Sequence, residues 1–416
     1  MHEQNISLSD ICQIVDCEHK TAPTQENGIP LIRTPNIGRG FLILDNVQRI
    51  SDETYQKWTR RAEPQPNDLI MAREAPVGNV AIIPKGNKVC LGQRTVLVRI
   101  NSEKVLPAYL NYLLSSQTMH AYLNVLSNGA TVGHLNVTDI RNLRIPELPS
   151  LPTQRKIAAI LSAYDDLIEN NRRRIAILET MAEEIYREWF VRFRFPGYQS
   201  AVFEKGIPKG WELRPFSDVV EINPTERPHK DEEKPYVGME ALSTNSMYFE
   251  WTEKRKGNSG SKFKNGDTLF PRITPCLENG KRGFTMTLED GQIAVGSTEF
   301  IVMREKVLTP EFIYLLCCFE PFRTHAEISM VGASGRQRVA ENCFSFFLVA
   351  TPLADILAQF TQIVRPMFEN VKTLCMENSV LSKTKNQLLP RLISGKLSVE
   401  HLDIQFPPGM EESYRD

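Results

Sequence analysis

The chain has 416 residues, 41% of them apolar and 24% charged, with a formal net charge of −1 at pH 7. That length suits two or three soluble domains, and near neutrality excludes a protein that coats nucleic acid by charge alone. No run of 18 apolar residues occurs and the first ten residues are polar, so neither a membrane span nor a signal peptide is expected. Eight cysteines with no C-x-x-C pair offer no zinc motif and point to a reducing cytoplasm.

In chain order, residues 1–150 read as one α+β globule. Val80-Ala-Ile-Ile83 and Thr95-Val-Leu-Val98 are short β-branched runs separated by Pro84, Gly86 and Asn87. A helix is expected from Pro107, since proline suits a first helical turn. A loop carrying Gly129-Ala-Thr131 follows, then a proline-bearing connector. Residues 151–192 form a long helix, 193–350 a second globule, 351–397 a second long helix and 398–416 a tail.

The second globule repeats the first. Leu8-Ser9-Asp10-Ile11 is echoed by Phe216-Ser217-Asp218-Val219, and Asp68-Leu-Ile-Met-Ala-Arg73 by Asp267-Thr-Leu-Phe-Pro-Arg272. Ala75-Pro76 is echoed by Thr274-Pro275, the segment at Pro107 by that at Pro310, and Gly129-Ala-Thr131 by Gly332-Ala-Ser334. Ile293-Ala-Val295 and Phe300-Ile-Val-Met303 are expected to match the two strand runs of the first half. Preserved order over a period of about 203 residues marks an internal duplication.

The helices carry heptad seams. Ile157, Leu161, Tyr164, Ile168, Asn171, Ile175, Leu178, Ala182, Ile185 and Trp189 form one. Phe360, Val364, Met367, Val371, Leu374, Asn378, Leu381, Lys385, Leu388 and Leu392 form the other. An antiparallel pair that sets Asn171 against Asn378 brings Ile175 to Leu374 and Ile157 to Leu392, with the two asparagines fixing register. Lys385 against Ala182 is the one misfit. Pro366 and Pro390 predict a second helix that is kinked or shorter than the first. A helix of about 37 residues is about 55 Å long, on the order of one and a half turns of B-DNA.

Catalytic signatures are missing: no P-loop, no G-x-G-x-x-G turn after a strand, and no H-E-x-x-H. Asn223-Pro224-Thr225 lacks the second proline and aromatic of an amino-methyltransferase loop, and Glu232-Glu233-Lys234 sits in a solvated charge run. Basic excess is segregated. Residues 33–99 hold eleven Lys/Arg against six Asp/Glu, and residues 254–282 hold eight against two. A coiled-coil scaffold holding two protein-binding globules accounts for the helices but not for these matched basic stretches.

Five strings carry a family resemblance. They are Gly28-Ile-Pro-Leu-Ile-Arg-Thr34, Arg73-Glu-Ala-Pro-Val-Gly78, Gly129-Ala-Thr-Val, Leu151-Pro-Thr-Gln-Arg-Lys-Ile157 and Leu388-Leu-Pro-Arg-Leu-Ile-Ser-Gly-Lys-Leu397. With the duplication, they make the chain resemble specificity subunits of Type I restriction–modification systems. The second half departs at Pro352-Leu-Ala-Asp-Ile-Leu-Ala-Gln359, which lacks the Gln-Arg pair after the connector. The resemblance implies two target-recognition domains, each reading half of a bipartite, asymmetric DNA site, and a helical pair that spaces them. It implies docking to two methyltransferase subunits and association with restriction–translocase subunits. S-adenosylmethionine, ATP and Mg belong to those partners, so the chain itself is a non-catalytic subunit without a cofactor or metal.

Arg, Asn and Gln suit bidentate base contacts, while Ser and Thr reach bases or phosphates. In the first domain the candidates are Arg33, Asn36, Arg73, Gln93, Arg94, Thr131 and His134. In the second they are Arg272, Thr274, Lys281, Arg282, Ser334, Arg336, Gln337 and Arg338.

Overall fold

The computed structural model describes residues 6–127, 133–251, 253–333 and 337–407. The chain forms two compact units, residues 1–167 with 381–416, and residues 168–380. Among the described residues, no helix is long and apolar enough to cross a membrane.

In the first unit, a four-stranded antiparallel sheet runs Cys12–Asp16, Thr95–Ile100, Leu69–Ala72, Val80–Ile82. Side chains alternate across a strand. Leu69 and Met71 therefore enter a core with Tyr109, Leu110 and Leu113 of the helix Pro107–Ser115. Ile70 and Ala72 enter a second core with Ile32, Ile83 and Leu91. All four residues of Leu69–Ala72 are buried, as a strand covered on both faces requires. A smaller sheet, Arg49–Ile50, Ile29–Ile32, Cys90–Leu91, contains one parallel pairing, Leu31 to Cys90.

The second unit repeats this plan. One sheet runs Val220–Ile222, Phe300–Glu305, Thr268–Pro271, Gly283–Phe284. The other runs Glu253–Arg255, Lys234–Val237, Ala294–Gly296, Ser261–Phe263, with Lys234–Val237 parallel to Ala294–Gly296. Phe270, Ile301 and Met303 face one core, Leu269, Phe300 and Val302 another. The helix Pro310–Cys318 begins at its proline, as does its counterpart at Pro107. Each is followed by a second helix that the sequence pattern does not announce, Gln117–Leu126 and Glu320–Ile328.

One expected equivalence is corrected. Val80–Ile82 pairs with the central strand Leu69–Ala72, and its topological counterpart is Gly283–Phe284 on Thr268–Pro271. Ala294–Gly296 instead matches Cys90–Leu91, since both lie parallel to the strand of the smaller sheet. Short apolar runs look alike, and pairing partners far along the chain decide their place.

The duplication includes a buried ion pair. Arg99 donates from Nη2 to Asp68 Oδ2 at 2.5 Å, and Arg304 from Nη2 to Asp267 Oδ2 at 2.7 Å. Asp68 also accepts the Gln65 N–H and Asp267 the Lys264 N–H, each at 2.8 Å. Each aspartate thus closes the turn before its central strand and anchors the neighbouring strand's arginine.

The central helix is Leu151–Tyr186, 36 residues, continued by a π turn, Arg187–Val191. The C-terminal helix is Ala354–Ile393, 40 residues, so it runs through Pro366 and nearly matches the central helix with its π turn in length. A mid-helix proline costs about 3 kcal/mol. Burial of Phe360, Val364, Phe368 and Val371 around Pro366 offsets that cost.

Within each unit the helical segments run antiparallel. In the first, Ile157, Leu161, Leu389 and Leu392 share one core, and Lys156 Nζ reaches the Glu400 carbonyl at 2.7 Å. In the second, Asn171 Nδ2 donates to Glu377 Oε2 at 3.2 Å, while Trp189 and Phe190 pack on Phe360. Two register details change. Asn171 bonds to Glu377 rather than Asn378, whose Oδ1 is buried without a hydrogen-bond partner. Lys385 does not face Ala182. It pairs with Asp165, which also accepts the Tyr112 hydroxyl at 2.7 Å, while Ala182 lies in the core of the second unit.

Gln154 shows what the connector motif does. Buried completely, it accepts the Leu106 N–H at 2.9 Å and donates to the Lys104 and Pro149 carbonyls at 2.8 and 2.9 Å. Ala354, two residues after Pro352 as Gln154 is after Pro152, has no side-chain amide to make this tether.

Candidate nucleic-acid interface

In the first unit, Arg73 follows the central strand. Its N–H donates to the Arg94 carbonyl at 2.8 Å and its carbonyl accepts the Leu135 N–H at 3.0 Å. Three loops therefore meet at one backbone node. The Arg73 side chain is buried there, donating to the Leu135 carbonyl at 2.9 Å, Asp16 Oδ1 at 3.2 Å and His134 Nε2 at 2.9 Å. A guanidinium can only donate, so His134 Nε2 is the acceptor and Nδ1 carries the proton given to Glu74 Oε1 at 2.7 Å. Glu74 Oε2 holds Arg94 Nε at 3.0 Å, and the Arg94 side chain is exposed. Arg73, Arg94 and His134, separated in sequence, thus form one network.

The other candidates of this unit lie beside it or support it. Gln93 donates to the His19 carbonyl at 3.1 Å. Arg33 is exposed, with its N–H bonded to Asn36 Oδ1 at 3.1 Å. Asn36 itself donates to the Ile43 carbonyl at 3.2 Å and closes a turn. Thr131 lies outside the described residues.

The second unit has the same node with different side chains. The Arg272 N–H donates to the Glu299 carbonyl at 2.9 Å, and its carbonyl accepts the Val339 N–H at 2.8 Å. Ala75-Pro76 and Thr274-Pro275, three residues after each arginine, are both cis. Where the first unit has Arg94, the second has Glu299. Where it has His134, the second has Arg338. Glu299 receives Arg338 on both oxygens, and Arg272 pairs with Glu341 at 2.9 Å. The Arg338 and Arg272 cations hold the Glu299 carboxyl below its ordinary range, the Arg338 hydrogen bond contributing most.

Thr274 donates its N–H to the Gln337 carbonyl at 3.4 Å, and its hydroxyl is buried without a partner. Lys281 Nζ is tied to the Met239 carbonyl at 3.1 Å. Arg282 departs from expectation. It turns inward, over the Tyr314 ring and against Glu183 Oε1 at 3.3 Å. The acidic face of the central helix captures it, and Arg282 is a core cation rather than a loop residue. Ser334 and Arg336 lie outside the described residues. The residues that sequence reasoning missed are Glu74, Asp16, Glu299 and Glu341, the acids that aim the arginines. Glu74 stands beside Arg73 in sequence; the others are brought in only by folding.

Two duplicated α+β units presenting one backbone node with different donor sets define a protein suited to recognising two different surfaces of one kind. Residues 3–180 match the Type I restriction modification DNA specificity domain. The Type I restriction enzyme MjaIX specificity subunit of Methanocaldococcus jannaschii is 26% identical over 85% of this chain and 83% of its own length. The MjaVIII specificity subunit of the same organism is 20% identical over 81% and 80%. The crystal structure of a Type-I restriction-modification system S subunit from M. genitalium aligns over 94% of this chain and 96% of its own, with TM-score 0.57 and 14% identity, a likeness of fold. Residues 3–180 thus carry the match to that DNA specificity domain, and over four fifths of its length the chain is similar to specificity subunits of Type I restriction–modification systems.

Proposed function

We propose that this chain recognises a bipartite, asymmetric sequence in double-stranded DNA as the non-catalytic specificity subunit of a Type I restriction–modification complex. Each unit supplies one half of the recognition, and the helices act as spacer and as docking surface for two methyltransferase subunits, with restriction–translocase subunits joining them in the cytoplasm. S-adenosylmethionine, ATP and Mg are bound by those partners.

One observation carries the reading: the node at Arg73 and Arg272 keeps its backbone bonds while its side chains change from Arg94 and His134 to Glu299 and Arg338. A constant frame with variable donors is what two different half-sites require. Arg94 and Arg338 are exposed and paired with carboxylates. Exposed ion pairs are weak, so either guanidinium can exchange its carboxylate for a guanine edge at small cost.

Co-expression with the cognate methyltransferase subunit, followed by sequencing for methylated adenine, tests this. The expected result is methylation at one two-part motif that requires this chain, and exchange of residues 1–150 alters one part only. Assembly of the complex with no motif overturns the recognition role and leaves the scaffold reading.

A further inference from the structure

The second unit holds a cavity of about 220 Å³, lined by Tyr236, Arg255, Lys256, Ser259, Ser297 and Thr298 with the glycines between them. Among its described lining residues two are cationic, four carry hydroxyls and none is acidic. We propose that this cavity seats a backbone phosphate of the bound DNA, and that Lys256 is its principal cation. The proposal rests on the DNA-recognition reading above and adds a contact that fixes position rather than sequence.

The cavity is built before any ligand arrives. Gly260, at φ +93°, packs so closely on the neighbouring strand that a Cβ there would lie 1.9 Å from the Gly296 carbonyl oxygen. The loop is pinned on its other side, where the Gly257 N–H donates to the Lys230 carbonyl at 2.9 Å and Asn258 Nδ2 to the Pro228 carbonyl at 2.8 Å. Arg255 stacks 3.4 Å from the Tyr236 ring centroid and gives Nε to Glu253 Oε1 at 2.6 Å, so much of its charge is already met. Lys256, exposed just after the strand, has no ion-pair partner among the described residues and supplies the second positive charge.

One hydroxyl is set up as a donor. Ser297 Oγ accepts the Glu299 N–H at 3.2 Å, which leaves its own O–H to donate. A compact pair of cations with hydroxyls and no carboxylate among the described lining residues suits the oxygens of a phosphate, the group that fixes position on the duplex without carrying sequence. Placement supports the same ligand. Ser297 and Thr298 immediately precede Glu299, the carboxylate that aims Arg338. A phosphate held here sits one short step along the chain from the base-reading candidate.

The test is the salt dependence of duplex binding by the full chain and its Lys256→Gln variant. Two duplexes are used, one bearing the motif found by methylation sequencing and one unrelated. A single phosphate contact predicts that the slope of log affinity against log salt shrinks by about 0.9, with equal loss on both duplexes. Ser297→Ala should weaken both duplexes equally, with the slope retained. An unchanged slope in Lys256→Gln, or a loss confined to the motif duplex, overturns the phosphate site while DNA recognition stands. A wild-type chain whose binding ignores salt overturns both.

Discussion

Arg338 gives Nε to both oxygens of Glu299, at 3.0 and 3.1 Å, and Nη2 to Oε1 at 2.5 Å. The carboxylate is fixed in turn by its place in the chain, since the Glu299 carbonyl accepts the Arg272 N–H at 2.9 Å. The pair therefore holds an exposed guanidinium at a set position. Replacing Arg338 by Ala should relax the motif in one half only, with discrimination at one base falling on the order of tenfold. Methylation sequencing of the reconstituted complex reads this directly. Equal weakening across all sites would instead make Arg338 a phosphate contact.

The ion pair of Asp267 with Arg304 predicts an asymmetry. Asp267 is 1% exposed, and burial raises its pKa although Arg304 and the Lys264 N–H oppose that rise. Arg304→Ala strands a buried carboxylate and should cost about 3–5 kcal/mol in denaturant unfolding. Asp267→Asn should cost less, because it leaves Arg304 with Glu226 at 2.5 Å. Equal costs would show that the charge itself matters little.

The helix seam gives opposite signs at its two asparagines. Asn378 Oδ1 is buried without a partner, so Asn378→Leu should stabilise the chain by about 1 kcal/mol. Asn171→Leu removes the bond to Glu377 and should destabilise it. A double-mutant cycle on Asn171 and Glu377 should show coupling of about 0.5 kcal/mol or more. Strict additivity would show that their contact contributes nothing.

These cases show where the sequence was legible. The duplication, the two proline-started helices and the seam are local or periodic signals, and they survived folding. Asn171 finding Glu377 rather than Asn378 was not legible, because heptad spacing assigns a face and packing decides which of two adjacent residues reaches across. Arg282 was misplaced for a similar reason: the acids of the central helix lie about a hundred residues earlier. The Asp68–Arg99 and Asp267–Arg304 pairs were legible in principle, since the duplication keeps both residue types, but charge counting treats them as surface.

Glu179 predicts a pH dependence. It points from the central helix into the second unit, accepting the Met247 N–H at 2.6 Å and the Ser246 hydroxyl at 3.1 Å. Burial raises its pKa to about 6 from 4.5, outweighing those two bonds and the Arg282 charge. The folded chain thus holds this proton more tightly than the unfolded chain. Its contribution to stability is full below pH 4.5 and is lost as pH rises through about 6. The loss amounts to roughly 1–2 kcal/mol. Glu179→Gln keeps an acceptor for Met247 and cannot ionise. Chemical denaturation from pH 4.5 to 7.5 should therefore show the variant gaining on wild type as pH rises, with the difference saturating above about pH 7. If the difference stays flat across that range, Glu179 ionises as an ordinary surface carboxylate and its burial does not govern its proton.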